Sequence, residues 1–242
     1  VKKAYKYRLY PKDEQKILLH KNMGSARFVY NQLLANRQEL YEAYKKVKDN
    51  YIHYRDYLEK NDIDELKPSG LKKEYEWLKE VDSLALCNAE LNLNCAYRNF
   101  FQNKENGYPK FKKKCHHQKY TTNNQKDSVR LDIDNKIAYI KIPKCETSIK
   151  LKNHRKIPKK HLIKSVTIEK KPNNHYYIAI LVEQDNEKHL PENNRKIGVD
   201  VGIKDFAITS NGDKYDNQTF LRKSEKKLKK STKKIIKTKK RF

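Results

Sequence analysis

Asp200 has the clearest claim on chemistry. It interrupts the apolar alternation of Ile197, Val199 and Val201, with Gly198 and Gly202 two positions away on either side, so it leaves a strand where neighbouring side chains are missing. A carboxylate buried there, ionised and unpaired, would cost several kcal/mol. Two readings avoid that cost. One is a strand-end aspartate that faces solvent or pairs a lysine. The other is a magnesium ligand in a phosphodiester-cleaving site, where two metals roughly 3.5 to 4 Å apart clamp the attacking and leaving oxygens. Such a site needs several carboxylates, and the local sequence shows one. Cys115-His116-His117 offers metal donors, but no second clustered pair accompanies it. Cys87, Cys95, Cys115 and Cys145 form no C-x-x-C pair, which argues against a disulfide framework and against a zinc ribbon within these residues. The histidines contain no His-hydrophobic-His pair, so the many tyrosines are no evidence for a tyrosine nucleophile.

The second chemistry is polyanion binding. The chain has 242 residues with 56 Lys+Arg against 30 Asp+Glu, a formal charge of +26. Self-repulsion on that scale opposes compaction unless a polyanion neutralises it. Residues 106–160 hold 16 basic and 4 acidic side chains, and residues 223–242 hold 11 and 1, so two patches supply almost all of the excess. In the first, Tyr108-Pro109-Lys110-Phe111-Lys112-Lys113-Lys114 interleaves rings with cations, and Tyr120 follows. Aromatic faces stack on bases while lysines track phosphates. The lysine-rich end reads equally as a solvated helix face, a tail or a second anchor. A membrane is the weaker partner. No basic amphipathic helix with a wide apolar face accompanies the central patch, and the longest apolar run, Tyr176 to Val182, falls far short of the roughly 20 residues that span a bilayer. The first residues form no apolar h-region, which makes a cytoplasmic address the default expectation.

The elements that must position these groups follow from periodicity. Residues 2–10 alternate as a strand, with Tyr5, Tyr7 and Leu9 on one side, and Pro11 ends it. From Asp13 the period turns helical. A short helix from Glu14 to Asn22, punctuated by Gly24, precedes a longer one carrying Val29, Leu33, Leu40, Tyr44 and Val47. This start is compatible with a helix-turn-helix or with an ordinary helical hairpin. Pro68-Ser69-Gly70 marks a loop. Asp82 or Ser83 caps a further helix with a stripe of Leu84, Cys87, Leu91 and Cys95, which makes both cysteines core hydrophobes. Strands are expected at 128–133, 137–142, 147–152, 163–171 and 175–183, with hairpin turns at Asp134-Asn135 and at Pro172-Asn173-Asn174. They form a small antiparallel sheet or barrel that the first strand can join. Glu187 to Arg195 is a polar boundary; two short strands and an Asn211-Gly212 turn follow it.

Six segments carry a resemblance. They are Lys6-Tyr7-Arg8-Leu9-Tyr10-Pro11, Arg27-Phe28-Val29-Tyr30-Asn31, Ala96-Tyr97-Arg98-Asn99-Phe100-Phe101, Gly107-Tyr108-Pro109-Lys110-Phe111-Lys112, Ile163-Lys164-Ser165-Val166 and Gly198-Val199-Asp200-Val201-Gly202-Ile203-Lys204-Asp205-Phe206-Ala207. In this order they resemble the N-terminal part of TnpB-type proteins, the transposon-encoded OrfB family of RNA-guided DNA endonucleases. The resemblance implies an α+β chain: a wedge-like antiparallel β-barrel from residues 1–11 and 106–192, a helical recognition domain inserted at 12–105, and the first strands of an incomplete RNase H-like (RuvC) domain at 193–242. It further implies a guide RNA and target DNA as partners. The candidate nucleic-acid contacts are Lys6, Arg8, Arg27, Tyr108, Lys110, Phe111, Lys112, Lys113, Lys114, Tyr120 and Arg130. Asp200 matches the first of three catalytic carboxylates that bind magnesium in the family, and Asp205 is read as structural. The other two carboxylates and a paired C-x-x-C zinc segment are missing, so the chain is expected to be C-terminally truncated and unable to cut DNA alone. The alternatives are a nuclease-dead RNA-guided regulator and a generic basic RNA-binding protein.

Overall fold

A computed structural model describes residues 1–51, 53–114, 118–134, 137–155, 157, 161–185 and 196–239. The chain divides into two compact units, Val1–Glu187 and Lys188–Phe242. Asn135 of the 134–135 turn, the Cys115-His116-His117 group and the whole of the 187–195 boundary lie outside the described residues.

The first unit is built around its N-terminal strand. Strand β1 (Lys2–Tyr10) buries Tyr5, Tyr7 and Leu9 and turns Lys6 and Tyr10 to solvent, as a period of two requires. Its neighbours come from the far end of the unit. Lys2 lies opposite Glu183 in β7 (Tyr176–Gln184), and Leu9 lies opposite Leu151 in β5 (Ile149–Lys152). With β2 (Gln118–Asn123), β3 (Arg130–Asp134), β4 (Ile137–Lys141) and β6 (His161–Lys170), they make a seven-stranded antiparallel sheet in the order β2-β6-β7-β1-β5-β4-β3. No ladder joins β2 to β3, so the expected closed barrel is an open, curled half-barrel. Strand β2 had no sequence signal, because its Lys and Thr residues mask an inward alternation of Tyr120 and Thr122.

The helices are inserted after β1. Helix α1 (Asp13–Val47) runs unbroken through Gly24, so there is no turn between two helices in residues 13–47. An interior glycine costs a helix only about 1 kcal/mol, and here Met23, Ser25 and Ala26 around it are buried. The far end of α1 does not bury the expected Val47, which is exposed. Instead, Tyr41 and Tyr44 pack edge-on against Tyr54 of α2 (Tyr54–Lys60) with centroids 5.8 and 5.6 Å apart. Pro68 opens helix α3 (Pro68–Glu74) rather than a loop; Pro is suited to a first helical position because its missing N–H has no partner to lose.

Helix α4 (Ser83–Gln102) starts where expected, with Asp82 Oδ1 accepting from the Leu84 amide at 3.0 Å. Its buried face corrects the expected stripe. Ala85, Leu86, Ala89 and Leu93 face the core, whereas Cys87, Leu91 and Cys95 are exposed. Helix α4 packs against both α1 and β2, and that packing outweighs the more apolar-looking stripe. Asn22, fully buried, ties the two helices: its Nδ2 donates to Leu18 O at 3.0 Å and its Oδ1 accepts the Asp82 amide at 3.1 Å.

The second unit contains β8 (Val199–Asp200), β9 (Asp205–Thr209), β10 (Lys214–Asp216) and the basic helix α5 (Phe220–Lys239). The strands form an antiparallel ribbon in the order β10-β9-β8, with Gly212 at φ +89° in the turn. Among residues 196–232 only Ala207 is buried; Ile197, Val199, Val201, Ile203 and Phe206 are all exposed.

Gly24 separates the two accounts of α1 by experiment. A Cβ at Gly24 meets nothing within 4 Å. Gly24→Ala should therefore raise stability by about 1 kcal/mol in urea unfolding. Destabilisation would restore a turn at this position.

Candidate nucleic-acid interface

The segment after α4 is extended and exposed, yet it is held in place. Gly107, at φ +71°, turns the chain out of the helix end, and Pro109 is buried behind it. Tyr108 is partly committed to the protein: its hydroxyl shares a 2.8 Å hydrogen bond with that of Tyr97, and its ring meets Tyr97 and Phe100 edge-on at 5.5 and 5.4 Å. Further along, Asn31 of α1 grips the backbone of Lys112 from both sides. Its Oδ1 accepts the Lys112 amide at 2.8 Å and its Nδ2 donates to the Lys112 carbonyl at 2.9 Å. Between and beyond these anchors Lys110, Phe111, Lys113 and Lys114 stand exposed.

Lys112 is exposed like its neighbours, but its amine is engaged. Its Nζ lies 3.7 Å from the centroid of the Tyr30 ring. Desolvation there, and secondarily the charge of Lys119, pulls its pKa down to about 8. Lys114 contributes to a positive field that an exposed histidine, His20, reports. His20 meets the Tyr176 hydroxyl at 2.7 Å. Its pKa is lowered by burial first, then by Lys170, Lys114 and Lys16, which come from three separate parts of the chain.

The other expected contacts divide. Arg130 is exposed, with its Nε donating to Asp127 O at 3.1 Å. Lys6 pairs with Glu169 and sits over the Tyr177 ring at 5.5 Å, and Arg8 covers Tyr10 with its Cζ 5.1 Å from the centroid. Arg27 is half-buried and donates to Gln118 Oε1 at 3.2 Å, so its role is to join α1 to β2. Tyr120 is corrected outright. It is 5% exposed, burial pushes its phenol far up, and no base can reach its ring. Asn31 and Tyr30 belong to a sequence motif that gave them no role; the structure supplies one, as the clamp and the platform under Lys112.

Asp200 sits on the edge strand β8, exposed, opposite Ile208. Among the described residues no three His, Cys, Asp or Glu side chains come together to hold a metal ion. The described residues alone do not fit a two-magnesium centre. No helix among the described residues is long and apolar enough to cross a membrane.

Two variants probe the clamp. Asn31→Ala removes two hydrogen bonds and no charge, so RNA affinity should fall roughly tenfold while the slope of log K against log salt stays as in the parent. The Lys112 cation is present below its pKa and lost above it. Affinity due to Lys112 should therefore decline between about pH 7 and 9, and Lys112→Met should remove that component of a pH series.

Comparison with known proteins places this arrangement. A helix-turn-helix domain of the OrfB type matches residues 1–46, where the structure has β1 followed by the single helix α1. The chain is 28% identical over 225 residues to an Escherichia coli (strain K12) protein provisionally named RNA-guided DNA endonuclease InsQ, covering 93% of this chain and 51% of that protein. A Streptomyces pristinaespiralis protein, also provisionally named an RNA-guided DNA endonuclease, is 26% identical over 231 residues, 96% of this chain and 54% of its own. Virulence protein VsdF of Salmonella dublin is 32% identical over 120 residues, 46% of this chain and 93% of that protein. The chain thus spans about half the length of the two endonuclease-named relatives. Similarity that runs through both units, together with a matched segment holding β1 and the Asn31 clamp, leads to one assignment: the chain belongs to the TnpB-type family of transposon-encoded OrfB proteins.

Proposed function

We propose that this chain holds a structured guide RNA and the DNA paired with it, acting as the nucleic-acid-binding part of an RNA-guided DNA endonuclease. The observation that carries this reading is the pinned cationic segment. Lys110, Lys113 and Lys114 are presented on a backbone fixed at Tyr108 and Lys112, so little ordering entropy remains to oppose phosphate binding. The relatives' names support RNA guidance, in which base pairing reads the target and the protein supplies charge and shape. Asp200 enters as one carboxylate of a magnesium-dependent RuvC-type nuclease site that needs further ligands. The wedge and recognition roles belong to the half-barrel and to the helices α1–α4.

RNA recovered with the purified protein is expected to be one discrete species. Replacing Lys110, Lys113 and Lys114 with alanine should release it and flatten the salt slope by roughly 0.7 for each phosphate no longer neutralised. A heterogeneous RNA mixture would favour a generic basic binder, and an unchanged slope would remove the segment from the interface.

A further inference from the structure

The sheet has a second face suited to nucleic acid, and of its residues the sequence marks only Lys6, Arg8 and Arg130 as contacts. The inner face of the half-barrel is filled by Tyr5, Tyr7, Leu9, Ile149, Leu151, Ala138 and Ile140. Strand alternation puts the intervening residues on the outer face. There the register builds a cross-strand row: Tyr10 lies opposite Lys150, Lys150 opposite Tyr139, and Tyr139 opposite Asp132. Tyr10 and Tyr139 remain 43% and 40% exposed, and Lys150 is exposed between them. Alternation adds Arg8 and Lys152 to the same face beside the row, and Arg130 beside Asp132. Two open rings separated by a lysine and flanked by further cations are thus assembled from three strands, β1, β5 and β4.

We propose that this outer face is a stacking platform for unpaired nucleotides of a bound polynucleotide, with Tyr10 and Tyr139 each taking one base and Lys150 and Lys152 taking the phosphates between them. Charge selects the partner: in a chain of formal charge +26, a surface of exposed rings and cations is complementary to a polyanion that also has flat apolar groups to offer. Geometry selects the unpaired state. Neighbouring strands lie about 4.8 Å apart, so rings two strands apart are separated by roughly 10 Å. That is about three times the 3.4 Å rise of a helical stack, and a duplex hides its base faces inside that stack. Only a splayed single strand presents successive bases to both rings. Arg8, whose guanidinium carbon is 5.1 Å from the Tyr10 centroid, backs one side of that ring and orients it. Asp132, the one acid in the row, repels phosphate at the outer end and keeps the backbone track on the lysine side.

The platform rests on the reading of the chain as a nucleic-acid binder, but the two fail separately, because stacking is insensitive to salt and phosphate contacts are not. The full chain would be assayed by fluorescence anisotropy with labelled oligouridylate, labelled oligothymidylate and a blunt RNA duplex. Tyr10→Ala and Tyr139→Ala should each weaken single-strand binding roughly tenfold, with an unchanged salt slope and unchanged duplex binding. Tyr10→Phe with Tyr139→Phe should retain affinity. The larger loss, on uridylate or on thymidylate, assigns the platform to RNA or to DNA. The proposal is overturned if the double alanine variant binds single strands as the parent does, if duplex affinity falls equally, or if polyglutamate competes as well as oligonucleotide. In those cases the lysine segment's salt slope still tests the proposed function by itself.

Discussion

The first unit depends on one strand finding a place in the middle of a sheet made almost entirely of later sequence. Strand β1 pairs with β7 on one side and β5 on the other. Without it the sheet falls into two halves, β2-β6-β7 and β5-β4-β3, each with a new unsatisfied edge. Burying Tyr5, Tyr7 and Leu9 drives the insertion, and the Tyr5 hydroxyl fixes its depth with a 2.8 Å hydrogen bond to Gln184 Oε1. Because α1 follows β1 directly, that placement also sets where α1 begins. Gln15, buried, then donates to Thr147 Oγ1 at 2.8 Å just before β5. The Asn31 clamp, about four turns further along α1 at 3.6 residues per turn, inherits its position from this junction.

The positive charge is organised by the same scaffold. Cations with an assigned protein partner lie where elements meet: Lys6 on Glu169, Arg27 on Gln118, Lys112 on Tyr30. Cations left open to solvent lie on the extended segment and on the outer sheet face. A lysine run in sequence therefore contains two populations, and only the surroundings of each residue separate them. Lys112 and Lys113 are adjacent, yet one amine is drawn over a ring and the other stands in solvent.

Much of this was legible in the sequence where a single local rule decides. Period-two alternation located β1 and β4–β7 to within a few residues, Asp82 announced α4, and Asn173-Asn174 and Asn211-Gly212 announced their turns, with Asn174 and Gly212 both at positive φ. The failures occur where two local rules compete and tertiary contact chooses. Gly24 is a breaker by type and a helix residue by context, because the packing on both sides exceeds its small penalty. In α4 the choice was between a stripe of leucines and cysteines and one of alanines and leucines, and packing on α1 and β2 selected the second. Tyr120 follows a basic patch in sequence but falls on the inward parity of β2, so its ring went to the core. At the candidate site the lysines were legible as charge. Their anchoring by Tyr30 and Asn31 was not, since the residues that meet there lie far apart along the chain.

The central seat of β1 also has a consequence for biosynthesis. It leaves the ribosome before either of its neighbours, which lie well over a hundred residues downstream. At typical elongation rates that interval is roughly 10 to 30 seconds. Through it a strand with one greasy face has no lawful partner, while the helices that follow can coil locally at once. The nascent chain is thus exposed to mispairing until β5 and then β7 emerge. The cations alternating along β1, at Lys2, Lys6 and Arg8, suit it to wait, since like charges discourage two such strands on neighbouring ribosomes from zipping together.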